Sequence, residues 1–426
     1  MKCAIGLGLV ALLCVAAPVA AQQPITAAPP APPVAPAPAP TSGWGWLNPL
    51  SWPFLPVPLV ASDPNSGVTV GLLPTWLETN AQHEIDRIIA PDVQYNPYFG
   101  YGAHGRVLEF PSPDVQWSVE AGLNERVQRS VDLEFEKGLL REHRWSYNLS
   151  MIYERDGTPR FYGIGNGTNE YAATNYTTNG ELVLAQLGVN LSQALQVQYT
   201  FRFQSVDVLP GTLPGIPSIQ QLYAGELGTT HEILDRVSVA YDTRDSITVP
   251  STGMRWVVYT GLATHSSFGE LAYSEAGVDG SMYWPVGSDT VLASHVALRY
   301  LPTLDSAAFW ELSTLGGGDS VIGAEQPLRG FGEGRFTGRN SFSFTTEMRQ
   351  RILDFGLFNT ELELELAPFM DLGRVFNTVG TFPLSQLHKV FGLGFRGIAR
   401  PFIVGHVDVG YGSEGAAVFT GIAYPF

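Results

Sequence analysis

The chain has 426 residues, of which 15% are charged and 12% aromatic, and its formal net charge is −16. An acidic chain without a basic cluster excludes a nucleic-acid footprint, and the charge content falls well below the roughly 25% of an ordinary soluble domain. Beyond residue 21 no apolar run approaches the roughly 20 residues that a membrane-spanning helix requires, so a membrane crossing here must use strands.

The N-terminus reads as a secretory signal over 1–21: Lys2, an apolar run from Ala4 to Ala17, then Val19-Ala20-Ala21 before Gln22. Leu13 is too large to precede a lipidated Cys14. Both cysteines, Cys3 and Cys14, lie in this segment. The mature chain is therefore expected to hold no disulfide framework, no thiolate metal site and no cysteine nucleophile. Residues 22–41 are mostly Pro and Ala, an extended segment with nothing to bury, which suits either a spacer across the periplasm or a disordered tail. Trp44, Trp46, Trp52 and Phe54 follow, at a density that fits a membrane interface, a barrel rim or a packing segment. The stretch 22–66 is thus read as a periplasmic linker with an aromatic segment, and 67–426 as the folded part.

From residue 67 the chain shows short alternating runs broken by turns. Leu195 to Phe203 has apolar residues at every odd position and polar ones between, a strand with one greasy face. Strands are expected near 67–79, 92–104, 114–123, 127–138, 144–155, 179–190, 194–207, 233–242, 254–264, 269–284, 289–302, 341–352, 360–375, 388–399, 403–412 and 416–425. That is about sixteen, and an even number suits a bacterial barrel. The long links, 156–178, 208–232 and 303–340, all fall on one side of this count, as in outer-membrane barrels.

The most informative stretch is 314–376. A strand points successive side chains to opposite faces, so Glu361, Glu363, Glu365 and Asp371 share one face and Leu362, Leu364 and Leu366 the other. A row of carboxylates backed by leucines fits a wet lumen wall whose outer side meets lipid. The fold expected is an all-β, transmembrane antiparallel barrel. Arg329, in the preceding glycine-rich loop, is the natural countercharge for these acids. Glu347 shares a face with Ser341, Ser343 and Thr345, opposite Phe342 and Phe344.

Four local patterns resemble the BamA/TamA-type outer-membrane barrels, the bacterial surface antigen family. Tyr241-Asp242-Thr243-Arg244-Asp245 with Pro250-Ser251-Thr252-Gly253 is similar to that family's turn between its eighth and ninth strands. Leu328-Arg329-Gly330-Phe331 resembles its Val-Arg-Gly-Phe/Tyr loop, inserted into the lumen between strands eleven and twelve. Phe369 to Val375 resembles its thirteenth strand. Gly421-Ile422-Ala423-Tyr424-Pro425-Phe426 is similar to the C-terminal signal read by the barrel-assembly machinery, with Gly421, Tyr424 and Phe426 its marked positions and Phe419 a departure. Tyr162 to Asn166 is a weaker family-like loop. The resemblance implies that Arg329, with Gly330 and Phe331, reaches into the barrel and pairs with Glu347 and Asp371 as a latch.

The family usually carries periplasmic POTRA domains, for which 22–66 leaves no room. The expected role is assistance to outer-membrane protein insertion or translocation, with client proteins and a separate periplasmic partner docking on 22–66. The alternative is a structural barrel or small-solute channel. No enzyme is expected: Asp242 and Asp245 read as a polar turn, and no Gly-x-Ser-x-Gly elbow or phosphate loop is present. No cofactor or metal is expected, since the histidines form no ligand cluster. The remaining partners expected are outer-membrane lipid and lipopolysaccharide in the outer membrane of a Gram-negative cell.

Overall fold

The computed structural model describes residues 54–80, 85–266, 269–317, 327–357, 360–378, 380, 386–399, 403–422 and 424–426. The expected signal over 1–21, the Pro/Ala segment and Trp44 through Trp52 lie outside the described residues. In chain order the strands begin with β1 Leu55–Asp63, β2 Gly67–Thr79, β3 Ile85–Ile89, β4 Asp92–Asn96, β5 Gly100–Ser112, β6 Val115–Asn124 and β7 Arg129–Lys137. Next come β8 Trp145–Asp156, β9 Arg160–Phe161, β10 Thr174–Asn190, β11 Leu195–Pro210, β12 Gly228–Asp242, β13 Gly253–Thr264, β14 Leu271–Pro285 and β15 Thr290–Tyr300. The series ends with β16 Ser313–Leu315, β17 Phe336–Gly338, β18 Asn340–Leu357, β19 Thr360–Phe376, β20 His388–Ala399, β21 Ile403–Gly412 and β22 Gly415–Ile422. β16 and β17 pair only with each other, and the rest form one 20-stranded sheet.

The sequence alternation sets the faces. On β7, Val131, Leu133 and Phe135 stand exposed while Asp132, Glu134 and Glu136 turn inward. On β20, Phe391, Leu393 and Phe395 are exposed and Val390, Arg396 and Ile398 are buried. Exposed apolar side chains recur in this way around the sheet, which is the outer surface of a barrel in hydrocarbon. No helix among the described residues is long and apolar enough to cross a membrane, a fact that says nothing against strands.

Two expectations are corrected. The run 92–104 is two strands, β4 and β5, joined by a turn at 97–99. Asn96 makes that turn: its side-chain oxygen accepts the N–H of Tyr98 at 2.8 Å and of Phe99 at 3.3 Å, and Gly100 follows at φ +77°. The sheet also starts at Leu55, inside the stretch read as linker, where Pro56 and Pro58 hide the strand pattern. β1 pairs with β2 along its whole length, from Leu55 opposite Thr75 to Asp63 opposite Gly67. Its other edge meets β22 at a single register pair, Ser62 opposite Val418.

The expected lumen loop is the 301–339 connection between β15 and β18, of which 318–326 lie outside the described residues. At the same end, 157–173 and 211–227 fold against it. Phe161, Val206, Val208, Ile219 and Phe309 bury together there. The Tyr162–Asn166 loop joins this cover: the Gly165 N–H donates to the Thr337 carbonyl at 2.7 Å, and the Val375 N–H donates to the Asn166 side chain at 3.0 Å.

Candidate functional site

The loop carrying Arg329 turns tightly at 327–330. Leu328 sits at φ +61°, a left-handed conformation that a leucine adopts only when packing holds it there. The packing is visible: Leu328 is fully buried, and a Cβ on Gly373 of β19 would lie 3.0 Å from its side chain. Leu315, Phe331, Phe336, Phe369, Val375 and Val390 complete an apolar cluster around it. Glycines let the loop backbone lie directly on β21. A Cβ at Gly410 would come within 1.6 Å of the Arg329 carbonyl oxygen, and one at Gly330 within 2.9 Å of the Gly412 nitrogen.

That seating delivers Arg329 into the lumen with none of its surface exposed. It donates to Asp371 three times: from its backbone N–H at 2.9 Å, from Nε at 3.1 Å and from Nη2 at 2.9 Å. Nη1 donates to Glu347 at 3.2 Å and to Asp408 at 3.0 Å. The guanidinium plane lies 3.6 Å over the Phe369 ring. A rigid fork over an aromatic face, shared between carboxylates, is a task for arginine and not for lysine.

Arg329 thus contacts both Glu347 and Asp371, within a network larger than the sequence reading. Arg396 of β20 bridges Asp408 at 2.5 Å and Glu347 at 3.0 Å, and Arg349 donates to Glu347 at 2.7 Å. Three guanidiniums and three carboxylates therefore face one another on β18 to β21 and the loop. Asp408, Arg349 and Arg396 were missed. Their strand parity would have found them, since each sits on the inward face next to an outward apolar residue: Met348 beside Arg349, Phe395 beside Arg396, and Val407 and Val409 beside Asp408. Of the carboxylate row on β19, Arg329 takes Asp371 alone: Glu365 accepts from Tyr424, and Glu363 lies 3.9 Å from Arg351. The Glu361 side chain lies outside the described residues.

A second anchor holds the loop nearer its base. Arg335 pairs with Glu414 of the β21–β22 turn at 2.7 Å and donates to the Thr168 carbonyl at 2.7 Å. Phe336 stacks on His388 at 3.7 Å between ring centres.

The C-terminal signal residues do not all lie where the strand pattern put them. Gly421 pairs with His406 within β22. Beyond β22, however, Tyr424 is buried inside: its hydroxyl donates to Glu365 at 2.8 Å and its ring covers Arg349 at 3.5 Å. Phe426 packs on His295 of β15, 5.6 Å between rings. Phe419 also faces inward, fully buried, where a Cβ on Gly317 would meet its ring at 2.6 Å. The family-type departure at Phe419 is thereby explained as loop packing.

At the opposite end, the Asp242–Gly253 turn is held by its own carboxylates. Asp242 accepts from Arg244 at 2.8 Å and lies 3.5 Å from Arg141. Asp245 accepts the N–H groups of Ser251 at 2.9 Å and Thr252 at 3.0 Å. Val249 from this turn packs on Ile398 and Tyr424. Beside this turn lies a cavity of about 630 Å³ lined by Glu134, Glu136, Gln198, Arg255 and His295 among others.

A family model described as the Omp85 superfamily domain matches residues 115–401. The chain belongs to the Omp85 superfamily. Omp85 membership makes it an outer-membrane β-barrel of the BamA/TamA type, the type its local motifs resemble. No curated protein matches the sequence. Among solved structures, BamA from Haemophilus ducreyi lacking POTRA domains 1–3 is 12% identical with a TM-score of 0.49, over 89% of this chain and 76% of that one. CdiB from Acinetobacter baumannii is 13% identical with a TM-score of 0.45, and CdiB from Escherichia coli 12% identical with 0.42. This Omp85 chain spans 66% and 62% of the length of those two CdiB chains.

Proposed function

We propose that this Omp85 barrel assists the insertion of other polypeptides into the outer membrane or their passage across it, without enzymatic chemistry. The observation that carries the reading is the seam. Neighbouring strands such as β10 and β11 pair over 15 register positions, whereas β1 and β22 meet at one. A wall that admits a polypeptide must exchange backbone hydrogen bonds at some edge, and a nearly unpaired edge is the place where that costs least. The latch serves this role by keeping β18 to β21 rigid beside the seam, so that opening is confined to it. Clients are outer-membrane or exported proteins, and a periplasmic partner docks on the segment preceding β1. Depletion of the protein, followed by quantification of the outer-membrane proteome, tests the proposal; an unchanged proteome rejects it.

The cavity favours a second reading, a small-solute channel. Its lining of acids, amides and arginine suits water. The Arg329 loop, however, is tied to β18, β19 and β21 by buried ion pairs, which argues for a filled rather than an open interior. Steady conductance in planar bilayers, with no dependence of other barrels on this protein, would establish the channel instead.

A further inference from the structure

Two arginines meet on the outside of the wall. Arg129 opens β7 with the parity of the exposed Val131, Leu133 and Phe135, and Arg155 stands near the end of β8 with the parity of the exposed Leu149 and Met151. They are directly opposite each other in the β7–β8 register. Like charges so placed repel and weaken the strand pair. Their other neighbours give no relief. Arg129 has Leu123 of β6, and Arg155 has Asn179 of β10, whose side-chain oxygen already accepts the Tyr153 hydroxyl at 3.0 Å. The nearest outward carboxylate by register, Glu181, stands opposite Tyr153. Among the described residues neither arginine has an ion pair or a side-chain hydrogen bond, and Arg155 Nε is shut off from solvent without a partner. Arg87 and Arg351, by contrast, hold carboxylates.

Height places the pair. Both arginines lie at the end that carries the long 157–173 and 301–339 connections, which is the outer side of such barrels. At the other end of β8, Trp145 and Tyr147 are exposed as the inner aromatic girdle. From Trp145 to Arg155 the strand climbs about ten residues, at about 3.3 Å each and a tilt of about 45°, or roughly 23 Å against an apolar band of about 25 Å. The arginines therefore sit where the hydrocarbon of the outer leaflet gives way to headgroups. Leu123 is beside them, and Val131, Leu133, Leu149 and Met151 lie exposed beneath.

We propose that Arg129 and Arg155 form a clamp for a phosphate of a phosphorylated glycolipid in the outer leaflet. A phosphate between two guanidiniums turns their repulsion into charge-assisted contacts that suit the arginine fork. The acyl chains of the same molecule lie along the apolar stripe below, a surface that a free anion cannot use. The site is independent of the polypeptide-handling role above and requires only that this face meets the outer leaflet.

The test uses purified full-length protein in detergent, with diphosphorylated lipid A as the probe and native mass spectrometry as the readout. Arg129→Gln combined with Arg155→Gln should weaken lipid A binding about tenfold or more, since charge-assisted contacts are lost. Arg144→Gln, the same charge change beside Trp145 at the other end of β8, should not. Lipid A stripped of its phosphates should bind the unaltered protein no better than intact lipid A binds the double variant. Arg129→Glu supplies the folding check, because it sets opposite charges across the two strands. Without lipid that variant should resist chemical unfolding at least as well as the unaltered protein, while its lipid A binding falls. Equal lipid A binding by the unaltered protein and the double variant overturns the proposal. So does displacement of lipid A by equimolar inorganic phosphate, which would make the pair a free-anion site.

Discussion

Arg329 holds Asp371 through its backbone N–H and two guanidinium nitrogens at once, with both side chains fully shielded from solvent. Side chain and loop backbone are therefore fixed by the same carboxylate, and the loop cannot shift without breaking all three bonds. Truncating one partner of a buried pair costs about 3–5 kcal/mol, because the other charge is left without compensation. Here Arg329→Ala would strand Asp371 and weaken the support of Glu347 and Asp408 together. Chemical unfolding of the barrel should show a loss of about that size, and residues 327–335 should become protease-sensitive. Arg329→Lys should recover only part, since an ammonium cannot reproduce the fork. An unchanged unfolding midpoint in the alanine variant would remove the latch from the account.

The loop seat gives a steric prediction. Gly410 and Gly405 lie on the same strand, but a Cβ at Gly410 meets the Arg329 carbonyl at 1.6 Å while one at Gly405 meets nothing within 4 Å. Gly410→Ala should lift the loop and expose it to protease, and Gly405→Ala should not. The Gly410 effect should be smaller in an Arg329→Ala background, since both changes release the same contact. Equal behaviour of the two alanine variants would show that the loop is not seated on β21.

The tail makes a prediction through Tyr424 and Glu365. Their 2.8 Å hydrogen bond joins a buried hydroxyl to an inward carboxylate. A double-mutant cycle of Tyr424→Phe with Glu365→Gln should give a coupling of about 0.5–1.5 kcal/mol in unfolding experiments. The single Tyr424→Phe change should also quicken carboxypeptidase removal of Phe426. Additive effects, with no change in trimming, would mean that the tail is not held from within.

The Asp242–Gly253 turn should respond to acid. Burial pushes Asp245 up, yet the Ser251 hydroxyl and the N–H groups of Thr252 and Ser251 outweigh it and hold the carboxyl below its ordinary range. A carboxylate with a depressed value in the folded state stabilises that state fully above the unfolded value of about 3.9, and the contribution is lost as pH falls through the folded one. Hydrogen exchange at Ser251 and Thr252 should therefore stay slow down to about pH 4 and quicken below it. In Asp245→Asn the exchange should be faster at neutral pH and lack the acid transition. A transition retained in the asparagine variant would assign it to another group.

Much of this protein is legible in one dimension because a strand has period two. Val131-Asp132-Leu133-Glu134-Phe135-Glu136 states which face meets lipid before any partner is known, and the same parity places Glu347 and Asp371 inside. What parity cannot supply is the choice of partner. Asp408 and Arg396 carry the same inward signal as Glu365, yet the first two join Arg329 and Glu347 while the third binds Tyr424. That choice depends on strand stagger, on the bulge between Arg351 and Leu353, and on where the 301–339 loop descends. The strand at 55–63 was hidden for a related reason. Its prolines read locally as a linker, and only pairing with β2 shows that they belong to a strand. The sequence alone determined the two faces and the charge of the lumen, since these follow from side-chain direction along each strand. The tertiary structure decided which charges meet, that the tail turns inward and that β1 and β22 share a single register pair, because those depend on register between segments far apart in the chain.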